Sequence, residues 1–158
     1  MKTGTAKEIR DELKDLTADE LRQIVQRLAR FKKENKELLT YLLFEAHHED
    51  DYIENVKQLM DERFATITTP NFYYIKKGIR KILSDTKKYI RYSGNKETEI
   101  VLLIHFLKNM SEFKPSILKN KILTDIYMRQ VKLIRSRIAT LHEDLQYDYD
   151  RELNFLEV

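Results

Sequence analysis

Glycine and proline are scarce in this chain: three glycines and two prolines are spread over 158 residues. An all-β domain needs many tight turns, and tight turns depend on these two residues. Leucine, isoleucine, lysine and glutamate, which favour helices, are abundant instead. With 42% hydrophobic residues and nearly balanced charge, the chain can bury a core and differs from disordered sequences. We therefore expect an all-α fold.

Helix starts are predicted from capping residues that precede runs of apolar residues at helical spacing. Thr17 and Glu20 form a capping box, in which each side chain accepts from the backbone amide of the other. A short helix over about residues 7–13 comes before it. Asn35 is the predicted cap of the next helix, and Asp50 or Asp51 caps the one after that.

The second half of the chain is predicted to contain the longer helices. Thr69 and Pro70 predict the start of a long helix, because proline in the first turn already has a helical φ. Gly94 predicts its end, since glycine adopts the left-handed conformation that closes a helix. Another helix lies near residues 100–107. The last helix is predicted to be the longest, over residues 123–145, after which the apolar pattern fades.

These segments amount to about seven helices without a serine-rich or proline-rich linker. The sequence therefore predicts a single helical domain over residues 1–158, with flexible ends at 1–6 and 150–158. Two arrangements fit: a single compact bundle, or a short superhelical stack of helical hairpins starting near Thr17, Asp51 and Lys96. The hairpins share no sequence pattern, so a regular repeat is not predicted.

Charge is segregated along the chain. Residues 70–137 contain sixteen basic and five acidic side chains. Residues 45–69 contain two basic and seven acidic side chains, and residues 138–158 contain one basic and six acidic. Helical spacing places the basic residues of the Thr69 helix opposite its apolar face, and the last long helix carries further outward cations. Side by side, the two helices would form one basic surface. The residues of this predicted basic stripe are Lys76, Lys77, Arg80, Lys81, Lys87, Lys88, Arg91, Arg129, Lys132 and Arg135.

The basic stripe predicts a non-enzymatic interaction protein that binds an acidic partner, either another protein or a second copy. In the second case the run at residues 49–51 or the acidic end would pair with the stripe of a neighbour. The alternative is a nucleic-acid-binding module that uses the same helices, with tyrosines 73, 74, 89 and 92 stacking on bases. The alternative to any binding role for the stripe is a solvated face neutralised by the acidic segments. The third candidate function is an enzyme or metal protein that uses Glu45, His48 or His105. Membrane binding is not predicted, because the core needs the opposite, apolar face.

No catalytic residue, metal or cofactor is predicted. Absence of cysteine excludes disulfides, thiolate zinc sites and cysteine nucleophiles, and no glycine-rich loop can hold phosphates. Glu45 and His48 have the spacing of one half of a di-metal site, but the pair occurs once. His105, within an apolar helix, is more typical of a packed histidine than of a catalytic base. No apolar run follows Lys2 and no stretch is long enough to span a membrane, so the predicted location is the cytoplasm.

The order of four segments resembles a family of uncharacterised all-helical bacterial proteins of unknown function. The segments are Leu16-Thr17-Ala18-Asp19-Glu20-Leu21, Leu38 to Phe44, Tyr73-Tyr74-Ile75-Lys76-Lys77 and Leu102-Leu103-Ile104. The resemblance covers about residues 10–112. It implies a helical fold and carries no activity, cofactor or site residue to this chain.

Overall fold

The computed structural model describes residues 1–156, and within that range it contains helices and no strand. The all-α prediction is confirmed, with eight α-helices where the sequence predicted about seven. They are α1 (Ala6–Lys14), α2 (Ala18–Phe31), α3 (Lys33–Thr40), α4 (Glu49–Ala65), α5 (Phe72–Ser93), α6 (Lys96–Glu112), α7 (Lys121–Ile138) and α8 (Glu143–Asn154). A π-helical turn, Tyr41–Glu45, follows α3, and a short 3₁₀ helix, Ile117–Lys119, precedes α7.

The chain divides into two compact units, Met1–Phe44 and Glu45–Val158. The prediction of a single domain stays a prediction. In the second unit α6 packs against α4, α5, α7 and α8. Leu102, Ile104 and Leu107 of α6 are buried although they lie on different sides of the helix, which places this part of α6 in the middle of the core. The second unit is therefore a helical bundle around α6.

The first unit contains α1, α2 and α3, with α2 and α3 packed against each other. The connection between them is the single extended residue Lys32. None of the residues of α1, α2 or α3, all of which the structure describes, is buried. The first unit therefore has no apolar core of its own within these helices.

Two of the predicted helix ends are confirmed in detail. Thr17 Oγ1 accepts from the Glu20 amide at 3.3 Å, and Glu20 Oε2 accepts from the Thr17 amide at 2.8 Å. These bonds satisfy two of the amides that a helix N-terminus leaves unpaired. Gly94 ends α5 with φ of 66°, the left-handed conformation in which a Cβ would be strained.

The other predicted caps are wrong. Asn35 lies inside α3, and its side-chain amide donates to the Leu28 carbonyl at 2.8 Å. Asp50 and Asp51 lie in the first turn of α4, where their charges favour the positive end of the helix dipole. The long basic helix α5 is not capped by Thr69. Its cap is Asn71, whose side chain accepts from the Tyr73 amide at 2.9 Å.

The predicted last helix over residues 123–145 is two helices, α7 and α8, separated at residues 139–142. The side chains of Leu141 and Leu145 are both half-buried, so the apolar period continues across the break and conceals it. His142 caps α8 by accepting from the Asp144 amide. The longest described helix is α5, with 22 residues. The acidic end is helical to Asn154 and buries Leu153, while residues 157–158 of the predicted flexible end lie outside the described range.

Candidate functional site

A groove of about 500 Å³ lies between α5 and α7 in the second unit. The side chains that line it come from two faces, residues 80–87 of α5 and residues 126–133 of α7. Spacings of three and four residues place each set on one face of its helix. The lining residues are Arg80, Leu83, Ser84, Lys87, Ile126, Arg129, Gln130 and Leu133.

The groove is positively charged and carries apolar surface between its charges. Arg80 and Lys87 come from α5 and Arg129 from α7, and no acidic side chain is among the described lining residues. In residues 1–156 neither Arg80 nor Lys87 forms an ion pair. Arg129 donates from Nε to the Asp125 carbonyl oxygen at 3.1 Å. Cations on both walls of one concave surface reinforce each other's field and attract negative charge.

Gln130 is a groove residue that the sequence pattern did not indicate. Its side chain is 5% exposed, and Nε2 donates to the Ile126 carbonyl at 3.4 Å. Within the described part of the chain Oε1 has no hydrogen-bond partner. Buried polar atoms normally have a hydrogen-bond partner. Gln130 therefore places an unpaired polar atom within the α7 wall of the groove. A single glutamine among apolar and basic residues gives no sequence signal for this role.

Three members of the predicted stripe have interactions elsewhere. Lys81 pairs with Asp85 at 3.2 Å, and the Lys88 ammonium lies 5.3 Å from the centre of the Tyr89 ring. Arg135 donates to Asn154 Oδ1 of α8 at 3.1 Å. Four further stripe residues lie outside the groove. These are Lys76, Lys77, Arg91 and Lys132.

Asp85, the one acidic residue of α5, is 7% exposed and accepts from two cations. Lys81 lies on the same helix and Arg63 reaches it from α4. Burial by itself raises the pKa of Asp85, but the hydrogen bonds and positive charges of Lys81 and Arg63 outweigh burial and hold the pKa below its ordinary value. The spacing of four residues indicates the Lys81 pair in the sequence, whereas nothing in the sequence indicates Arg63.

The acidic segments are partly engaged within the second unit. Glu49 accepts from the hydroxyls of Ser93 and Thr98, the latter at 2.6 Å. Glu97 accepts from the Tyr149 hydroxyl at 2.5 Å. Burial first, and then this hydrogen bond and the charge of Glu97, raise the pKa of Tyr149 above its ordinary range. None of these carboxylates is among the described residues that line the α5–α7 groove.

Tyrosines near the stripe do not line the groove either. Tyr73 and Tyr74 are 64% and 57% exposed at the start of α5, with their rings edge to face at 5.2 Å. Tyr89 and Tyr92 contact each other edge to face at 6.1 Å. The predicted stacking surface is therefore separate from the groove, at two places along α5.

The candidate metal and catalytic residues are not brought together. A turn at residues 46–47 separates Glu45 from His48, so the two do not share a helical face. His105 donates from Nε2 to Asp61 Oδ1 at 2.6 Å, and the Asn109 side chain donates to the same oxygen at 2.8 Å. In the described range, no three or more histidine, aspartate or glutamate side chains are grouped as metal ligands.

Comparison of the chain with protein families, with curated proteins and with solved structures gives no match. The resemblance to uncharacterised helical bacterial proteins stays a prediction. Among the described helices, none combines the length and the apolar character needed to cross a bilayer.

Proposed function

We propose that this chain is a non-enzymatic interaction protein that binds an acidic segment of a partner protein in the α5–α7 groove. The observation that carries the proposal is the composition of the groove. Arg80, Lys87 and Arg129 supply positive charge on both walls, next to apolar side chains such as Leu83 and Leu133. Carboxylates of a partner would pair with the cations, and an apolar side chain between them would cover the leucines.

The mixture of charge and apolar surface favours a peptide over a nucleic-acid strand. A phosphate backbone offers charge without an apolar side chain, and unpaired bases need aromatic rings on which to stack. No aromatic residue is among the described residues that line the groove. The lack of cysteine is in keeping with a cytoplasmic location, which belongs to the same proposal.

The test is a binding titration with short fluorescent probes. One probe is a peptide that alternates aspartate with leucine, the second is the same peptide with asparagine in place of aspartate, and the third is a single-stranded oligonucleotide. The groove variant carries Arg80→Glu, Lys87→Glu and Arg129→Glu. The matched control carries Lys77→Glu, Arg91→Glu and Lys132→Glu, three exposed stripe cations of the same helices that lie outside the groove.

The proposal predicts saturable binding of the acidic peptide that the groove variant loses and the control keeps. The asparagine peptide should bind at least about tenfold more weakly, because it lacks the charges that pair with the groove cations. A tenfold loss of affinity corresponds to about 1.4 kcal/mol of binding free energy. Equal binding of the two peptides, or equal loss in both variants, would contradict the proposal. Circular dichroism of each variant shows whether the helices remain formed.

A nucleic-acid-binding function is the second candidate, because of Tyr73. Its exposed ring lies at the start of α5, and helical spacing puts it on the same side as Lys77 and Arg80. This function predicts that the oligonucleotide binds and that the logarithm of its affinity falls linearly with the logarithm of the salt concentration. The groove variant and the control would then both weaken binding, and Tyr73→Ala would weaken it further without changing the salt slope.

A further inference from the structure

The first unit, Met1–Phe44, leaves much of its apolar surface in contact with solvent. On α2, Leu28 is 53% exposed and Phe31 75% exposed. An amphipathic helix in a protein gains most of its stability from packing its apolar face. An open face of this kind marks an interaction surface. The exposed apolar side chains of the α2–α3 hairpin, which we call the hairpin face, are Ile24, Val25, Leu28, Phe31, Leu38 and Leu42.

The hairpin face includes a hollow of about 200 Å³ between α2 and α3. Val25 and Leu28 line it from α2, Leu38 from α3, and Leu42 from the π-helical turn that follows α3. Its one polar lining residue, Asn35, already uses its side chain on the Leu28 carbonyl. The hollow therefore suits an apolar side chain rather than a charged ligand.

Charge along α2 is arranged so that two copies in antiparallel orientation complement each other. Helical spacing puts Glu20 and Arg27, seven residues apart, on one side of α2 beside the hairpin face, since Ile24 and Phe31 follow them by four residues each. In an antiparallel pair Glu20 of one copy then lies beside Arg27 of the other, with their levels about 3 Å apart along the helix. A parallel orientation would instead place like charges together.

We propose that two copies of the chain associate through the hairpin face, with α2 of one copy antiparallel to α2 of the other. A unit of this size whose three α-helices bury no residue is at the limit of what folds alone, and oligomerisation is one of the usual solutions. A second copy offers the same apolar face and the reverse charge order. A two-fold axis then buries both faces in a single closed contact. This inference does not depend on the function proposed for the α5–α7 groove.

The chain has no cysteine, so a single introduced thiol reports contact between copies. The midpoint of α2 lies between Ile24 and Val25. In the proposed dimer Ile24 lies close to the two-fold axis, about 1.5 Å along the helix from its counterpart, whereas Phe31 is about 20 Å from its counterpart. A disulfide needs Cα atoms within about 7 Å. Mild oxidation should therefore link Ile24→Cys to itself and leave Phe31→Cys unlinked.

Gln26→Cys is the matched control, because it lies near the same level of α2 but on the opposite face. It should stay unlinked. If Gln26→Cys forms the dimer as fast as Ile24→Cys, the links come from collisions and the proposal fails. If Phe31→Cys is linked as well as Ile24→Cys, the helices are parallel and the proposal also fails.

Sedimentation equilibrium of the full chain supplies the second test. We expect the wild type to have twice the mass of one chain, Leu28→Glu to have the mass of one chain, and Gln26→Glu to remain a dimer. A wild type that keeps the mass of one chain at every concentration would overturn the proposal, and so would a dimer that survives Leu28→Glu. Should Leu28→Glu fail to fold by circular dichroism, the cysteine variants still decide the question.

Discussion

Replacing Asp85 by asparagine tests whether the buried carboxylate stabilises the basic helix α5. Asp85 is 7% exposed and accepts hydrogen bonds from Arg63 and Lys81. A hydrogen bond to a charged group contributes about 1.5 to 3 kcal/mol, but Lys81 has a side chain 71% exposed, so its pair is close to a surface ion pair of at most about 1 kcal/mol. Asparagine keeps one acceptor oxygen. We expect Asp85→Asn to lower the free energy of unfolding by about 2 kcal/mol.

The pH dependence follows from the direction of the Asp85 pKa. Its pKa is lower in the folded chain than in the unfolded chain. The stabilisation is therefore complete above the ordinary aspartate pKa of about 3.9 and is lost as the pH falls through the lower, folded value. The difference between wild type and Asp85→Asn should be full at neutral pH and should shrink in acid, where Asp85 becomes protonated.

Urea unfolding followed by circular dichroism, at neutral and at acid pH, measures this difference. Asp125→Asn is the matched control, because Asp125 is exposed on α7; it should change stability by less than about 0.5 kcal/mol. Arg63→Gln should cost more than Lys81→Gln, since the Arg63 side chain is the more buried of the two. A loss for Asp85→Asn as small as that for Asp125→Asn, or a loss that is the same at both pH values, would refute the reasoning.

Three further changes probe the second unit. Gly94→Ala should lower the free energy of unfolding by about 1 kcal/mol, because Gly94 has φ of 66°; an unchanged melting temperature would contradict this. Leu103→Ala should cost about 2 to 5 kcal/mol in urea unfolding, because Leu103 is completely buried in α6, and a smaller loss would mean that α6 is not central. Tyr149→Phe should cost about 1 kcal/mol by losing the bond to Glu97. In an alkaline ultraviolet titration it should also remove a tyrosine that ionises late, since the Tyr149 pKa is raised, and an unchanged titration curve would argue against that bond.

Much of the secondary structure can be predicted from the sequence because its causes are local. The Thr17 and Glu20 capping box and the left-handed Gly94 involve residues at most three apart, so their signals are complete in a short stretch. Where several capping residues lie close together, the sequence does not decide between them. The N-cap of α5 is Asn71 and not Thr69. The break after Ile138 left no signal, because apolar spacing continued through it.

The candidate groove could not be predicted in full, because its residues come from two helices that are far apart in the sequence. Spacing alone placed Arg80 and Lys87 on one side of α5, but their meeting with Arg129 of α7 depends on how both helices pack on α6. The pair of Asp85 with Arg63 has the same origin, since the two residues lie on different helices. The distance in sequence between such residues carries no information on their distance in space.

The sequence by itself determined the helical class, most helix positions and the separation of positive from negative segments, because propensity, capping and charge order act within a few residues along the chain. Only the tertiary structure decided which cations line a common groove and which are paired, and it placed Asp85 in the interior beside Arg63. It also left the hairpin face open in the first unit. The physical reason is that packing selects one rotation and position for each helix among many that the same apolar stripe allows.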